Sequence, residues 1–173
     1  MKDLSFHGFQ STSTPYKRMI EPQLIQIIRK QFVLEWTGIH GAPHWARVRE
    51  NGLRLAGSTG ADPRVIELFA FLHDSRRMND GYDPMHGQRA ADFARMLALE
   101  EIEIDSVALE LLVESCQRHS AGQMEGDITV LTCWDADRLD LGRVGIKPDP
   151  NLLCTEAARM PETLEWAYRR SVV

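Results

Sequence analysis

The sequence is poor in most features that would make it other than a folded, water-borne domain. Its three cysteines, Cys116, Cys133 and Cys154, are an odd, widely spaced set without a C-x-x-C pair. That argues against a disulfide framework or a thiolate zinc site and leaves buried, reduced thiols as the reading. No apolar run approaches the roughly 18 residues that a spanning helix requires, and Met1 to Gln23 contains no continuous apolar h-region. The expectation is a cytoplasmic protein that makes no use of the membrane. Positive charge is not in excess either: 20 Lys and Arg stand against 25 Asp and Glu, a net charge of −5. Because phosphate-backbone affinity comes from clustered cations, general nucleic-acid binding is not expected, although a single small anion still fits. Segments of alternating β-branched residues, internal repeats and low-complexity tracts are all lacking.

What is present is an ordinary globular composition, 43% hydrophobic and 26% charged, in a chain of a length that suits one domain. Residues 1–21 are Ser/Thr-rich and aperiodic and read as an irregular arm, with His7 as a surface residue. From residue 22 to 173 the pattern is helices punctuated by Gly and Pro. Helices are expected at about 22–36, 43–57, 63–74, 85–99, 104–119 and 127–141, with weaker ones near 151–160 and 162–170. Pro43 and Pro63 fall in first turns, where a missing N–H costs nothing, and Asp62 suits the N-cap position ahead of Pro63. The fold class that follows is all-α, a compact bundle of about six to eight helices. Residues 147–173, broken by Pro148, Pro150 and Pro161, could cover the core or a neighbouring subunit, which leaves room for a homo-oligomer.

The functional signal lies in polar residues that share a face with apolar ones at 3.6 residues per turn. His44 lines up with Val48 and Leu55, and His86 with Ala90, Phe93, Ala94 and Leu97. His119 continues the stripe of Ile104, Val107, Ala108, Leu111, Leu112 and Ser115. The apolar segment Val65 to Leu72 runs straight into His73-Asp74, and Asp137 follows Val130 and Trp134 at helical spacing. Taken singly, an inward histidine is commonly a hydrogen-bonded core residue, and Asp137 could pair with Arg118 or Arg138. Taken together, two inward carboxylates beside several inward imidazoles call for a shared partner, since burying an unpaired carboxylate costs several kcal/mol. A divalent cation such as zinc, manganese, iron or nickel is one.

In order, these residues resemble the signature of the HD superfamily of metal-dependent phosphohydrolases: a lone His, a His-Asp doublet and a distal Asp. The correspondence runs through His44 in HGAPHWARV, the doublet in FAFLHDSRR and Asp137 in WDADRLDLGRVGI, from about residue 40 to 146. Within the last phrase Asp135, Asp137 and Asp140 compete for the ligand role, and the resemblance favours Asp137; Asp140 would hold Arg138, Arg143 or a helix end. The resemblance implies a divalent ion (Mn, Fe, Ni, Co, Zn or Mg) on His44, His73, Asp74 and Asp137. His86 and His119 would hold a second ion or contact a substrate phosphate. His40 sits in a Gly- and Pro-rich loop and is expected to support the ligands rather than join them.

The implied activity is hydrolysis of a small phosphorylated molecule, such as a nucleotide or nucleoside phosphate, by metal-activated water, with Asp74 central to catalysis. Arg76, Arg77, Arg118 and Lys147 are the expected phosphate partners, with Arg138 and Arg143 also near in sequence, and Asp80 or Asp83 would act as a base or hold those arginines. HDSRRMNDGY lacks the Glu-Asp pair of (p)ppGpp hydrolases, and Gly81-Tyr82-Asp83-Pro84 departs from the Gly-Tyr-Pro element of cyclic-dinucleotide phosphodiesterases. Two other readings stay open: a di-iron oxygenase on the same scaffold, and a non-catalytic module that binds a nucleotide or metal.

Overall fold

A computed structural model describes residues 20–172. The arm expected over residues 1–21, and His7 with it, lies outside the described residues except for Ile20 and Glu21. Among the described residues there are eight α-helices: α1 (Pro22–Gln31), α2 (Ala42–Thr59), α3 (Pro63–Leu72), α4 (His86–Glu100), α5 (Ser106–Arg118), α6 (Ile128–Arg138), α7 (Glu156–Arg159) and α8 (Pro161–Ser171). Two 3-10 turns, Leu141–Val144 and Pro150–Leu152, interrupt the chain after α6. No strand occurs among the described residues, and none of their helices is long and apolar enough to cross a membrane.

Side-chain caps set several boundaries. The Asp62 carboxylate accepts from the N–H of Arg64 at 2.7 Å, starting α3. Asp105 does the same for α5 through Val107 and Ala108, and Asp127 for α6 through Thr129. Each satisfies donors that the first turn leaves orphaned and contributes about 1 kcal/mol. At the other end of α2, Gly60 takes φ +75°, a conformation that a side chain would strain.

The centre of the bundle is α3. Val65, Ile66, Leu68, Phe69 and Leu72 are all at most 1% exposed, and the helix packs against α2, α4, α5 and α6. Each such side chain stabilises the fold by roughly 1.5–3 kcal/mol relative to exposure. The one acid on this helix, Glu67, is fully buried and is held by the Arg49 guanidinium from α2.

Two close approaches between helices depend on glycine. A Cβ on Gly52 of α2 would lie 2.5 Å from Ile66 Cγ2 and 3.3 Å from Ala136 Cβ, so α2 meets both α3 and α6 at this point. A Cβ on Gly87 of α4 would lie 2.7 Å from the carbonyl of Cys116, so the start of α4 rests on the end of α5.

Three expected boundaries are corrected. The first helix ends at Gln31 rather than 36, because Phe32 turns extended and stacks edge-on against Trp45, with Trp36 packing on the same ring. Tertiary aromatic contacts there override helical periodicity. The sixth helix ends at Arg138 rather than 141 and gives way to a 3-10 turn. The weak 151–160 segment splits into a 3-10 turn and the single turn α7, where Asp135 accepts from the N–H groups of Cys154 and Thr155 and from the Thr155 hydroxyl.

Candidate metal centre

Helix termini bring the polar residues together. His44 lies in the first turn of α2, His73 caps the C-terminus of α3 with Asp74 next to it, and Asp137 lies in the last turn of α6. His44 Nε2 is 3.0 Å from His73 Nε2, and Asp74 Oδ2 is 3.7 Å from each. Asp137 Oδ1 completes the group at 3.4 Å from His44 and 3.8 Å from His73. His44 and His73 are wholly buried and Asp74 is 2% exposed.

A second group adjoins the first. His86 opens α4, His119 caps the end of α5, and their Nε2 atoms are 2.8 Å apart. Asp74 Oδ1 stands 3.4 Å from His86 and 3.6 Å from His119. One carboxylate therefore offers one oxygen to each histidine pair.

Protonation follows from the partners. His44 Nδ1 faces a carboxylate oxygen of Asp140 at 2.7 Å, and His73 Nδ1 faces the carbonyls of Phe69 and Ala70 at 3.1 Å. His86 Nδ1 faces the carbonyl of Asp83, and His119 Nδ1 that of Cys116 at 2.8 Å. These oxygens only accept, so all four rings carry a proton on Nδ1, and each ring that is neutral turns a lone pair on Nε2 toward the centre. Burial lowers the pKa of His44 well below its ordinary value, helped by Arg143, and lowers that of His73. Both rings are neutral, so between them two lone pairs meet at 3.0 Å.

The residues fit a divalent cation on this ground and on a second one. Asp137 Oδ1 is buried yet has no hydrogen-bond partner among the described residues, which costs free energy unless a cation takes it. His44, His73 and Asp74 also place one donor atom each within 4.8 Å of one another, close enough for the three to share a cation. At the second group a proton can do part of the same work. Burial lowers the pKa of His119, but the hydrogen bond and charge of Asp74 outweigh it and raise the value, while His86 is lowered to about 4, chiefly by burial.

Neighbouring residues fix these positions. Asp140, which accepts from His44, is gripped from its other side by Arg47 Nε at 2.6 Å and Nη2 at 3.1 Å. His40 Nδ1 lies 2.9 Å from Asp74 Oδ2, and its Nε2 lies 3.3 Å from the carbonyl of Asp80. Arg77 Nε donates to Asp74 Oδ1 at 2.9 Å. Arg143 donates to the carbonyls of Ile39 and Asp140, and its Nη2 lies 3.8 Å from Asp137.

The centre opens into a cleft of about 430 Å³ whose walls include His40, Arg77, Asp80, Arg138 and Arg143. Three residues expected to meet phosphate do not line it. Arg76 donates to the Gln31 side chain and lies over Phe93. Arg118 is exposed beside Glu114, and Lys147 lies 5.8 Å from the Tyr168 ring. Nearness in sequence to a ligand does not fix direction at a helix end. Asp137 pairs with neither Arg118 nor Arg138, its nearest guanidinium being Arg143. Asp83 holds Arg89 instead of facing the cleft. Asp140 and Arg47 form a support for His44 that sequence reasoning missed. The available signal was the three-residue step from Asp137, which keeps Asp140 on the same turn.

Compared with family models, curated proteins and solved structures, the chain matches none. The fold and the His/Asp centre therefore define a class, an all-helical protein with a buried group able to hold metal, on the strength of its own residues.

Proposed function

We propose that the chain is an HD-type metal-dependent phosphohydrolase acting on a small phosphorylated molecule. His44, His73, Asp74 and Asp137 would hold one divalent cation, and His86 and His119 a second that shares Asp74. The observation that supports this reading is the two oxygens of Asp74, each turned toward its own pair of histidine Nε2 atoms. Bound there, a cation supplies Lewis acidity, bringing the pKa of water toward neutrality and drawing charge from phosphoryl oxygens.

The chain's own residues do the rest. Asp140 and the helix-end carbonyls of Phe69, Asp83 and Cys116 keep each imidazole in the Nδ1–H tautomer and fix its orientation. Arg77 and Arg143 at the cleft offer guanidinium groups to nonbridging phosphate oxygens, where their charge counters that developing in an in-line displacement. His40, with Nδ1 2.9 Å from Asp74 Oδ2, helps hold that carboxylate in place.

The test is phosphate or pyrophosphate release from a panel of nucleotides and other phosphomonoesters by protein supplied with Mn, Co, Ni or Mg ions. Asp74→Ala should abolish release, and unchanged activity in that variant would sink the assignment. The same donors also suit a pair of iron ions. Two irons per chain with oxygen-dependent turnover would replace hydrolysis with oxygenase chemistry. A lowered melting temperature on chelation without turnover of any substrate would leave a binding module.

A further inference from the structure

The cleft at the metal centre does not end at the polar residues. Gly122, Arg138 and Leu141 form part of its wall and also part of the wall of a second recess of about 240 Å³. That recess lies between the 122–124 loop and the segment 146–153, and most of its lining is hydrocarbon, from Met124, Leu141, Ile146, Pro148, Leu152 and Leu153, with Lys147 and Asp149 as charged members beside Arg138. Two of these side chains are far more exposed than their chemistry favours, Ile146 at 54% and Leu152 at 63%. Apolar surface left open beside a polar cleft is what a ligand with an apolar part would cover.

The dividing wall is firm. Arg138 donates to the carbonyls of Gln123 and Leu152, and its Nη1 also meets the sulfurs of Met124 and Cys154 at 3.4 and 3.0 Å. This arginine ties the two loops together, so the recess is built before any ligand arrives. Asp135 anchors the same segment through Cys154 and Thr155, which leaves Leu152 exposed on a fixed backbone while Leu153 is buried.

We propose that this recess receives the hydrocarbon part of the substrate. Building on the hydrolase reading above, that makes the substrate an organic phosphate bearing an apolar ring or short chain rather than a sugar phosphate or an unadorned polyphosphate. The anionic end meets Arg77, Arg143 and the metal centre. The apolar end crosses Leu141 and covers Ile146 and Leu152.

The experiment is calorimetric titration of metal-loaded full-length protein with 1-naphthylphosphonate, methylphosphonate and 1-naphthol, repeated on Leu152→Glu, whose exposed side chain can change without disturbing the core. Naphthylphosphonate should bind at least tenfold tighter than methylphosphonate, and Leu152→Glu should erase that advantage while leaving methylphosphonate unchanged. Equal affinity of the two phosphonates for the wild-type protein overturns the proposal. Should neither phosphonate bind while 1-naphthol binds and is lost in Leu152→Glu, the phosphate reading fails and the apolar site stands. If no naphthyl compound binds, the recess is not a ligand site. If Leu152→Glu instead converts a dimer to a monomer on a sizing column without affecting naphthyl binding, a second copy is the occupant and the proposal falls.

Discussion

His44 and His73 turn unprotonated Nε2 atoms toward one another at 3.0 Å, each with its Nδ1 proton committed to a different acceptor. A cation beside the pair would relieve that contact and would also partner the buried Asp137 Oδ1, which has no hydrogen bond among the described residues. The protein should therefore retain a divalent cation through purification. Removing it with EDTA should lower the melting temperature by on the order of 5 to 10 °C, for a ligand present at a hundredfold excess over its dissociation constant. A melting temperature indifferent to chelation and to added zinc or manganese would show that no such ion belongs there.

Asp140 orients His44 without being placed to bind the ion itself. Asp140→Asn keeps the shape of the contact but removes its charge, and metal affinity should fall tenfold to a hundredfold, as for other supports of ligating histidines. Competition with a chromogenic chelator measures this, and circular dichroism checks that the fold persists. Affinity equal to wild type would reduce Asp140 to a partner of Arg47.

The two groups should lose metal at different pH. Burial keeps His44 and His73 neutral, whereas Asp74 raises the pKa of His119 against its own burial, so as pH falls a proton captures the His119 ring first. Metal content after dialysis at stepped pH should drop in two stages, the first abolished by His119→Ala. A single stage would contradict the separate character of the groups.

Metal-free protein should lose stability on mild acidification. Below pH 6.5 the unfolded chain takes up a proton on His86 that the folded chain refuses until about pH 4. The unfolded state then binds more protons, so the stabilisation is full above pH 6.5 and fades as pH falls through that window. His86 alone contributes about 2 kcal/mol of loss between pH 7.5 and 5. His44 and His73 act in the same direction, and His119 partly offsets them. Urea denaturation of the EDTA-treated protein at the two pH values checks the sign, and the dependence should shrink in His86→Asn.

Gly87→Ala should separate the two metal groups. The added Cβ meets the Cys116 carbonyl, which is backbone and cannot swing aside, so α4 must move away from α5. His86 then parts from His119 while His44, His73 and Asp137 keep their places. The expected outcome is loss of one bound ion with the other retained, read by elemental analysis. Retention of both would mean that the helices absorb the methyl elsewhere.

Periodicity, proline placement and acidic caps made the helices legible before any coordinates, since each is a local property of a few neighbouring residues. The same reasoning placed His44, His86, His119 and the doublet on inward faces, because azimuth on a helix follows from spacing. It could not say that Asp74 turns one oxygen to each histidine pair, or that Asp140 and Arg47 stand behind His44, since those arrangements join residues as far as 96 positions apart. Nor could it aim Arg76, Arg118 and Lys147, whose long side chains follow packing and solvent rather than sequence distance. By itself the sequence determined an all-helical chain with imidazoles and carboxylates on apolar faces. Only the tertiary structure decided which of them share a centre, because glycine-permitted approaches between α2, α3 and α6 and between α4 and α5 set distances that no local rule encodes.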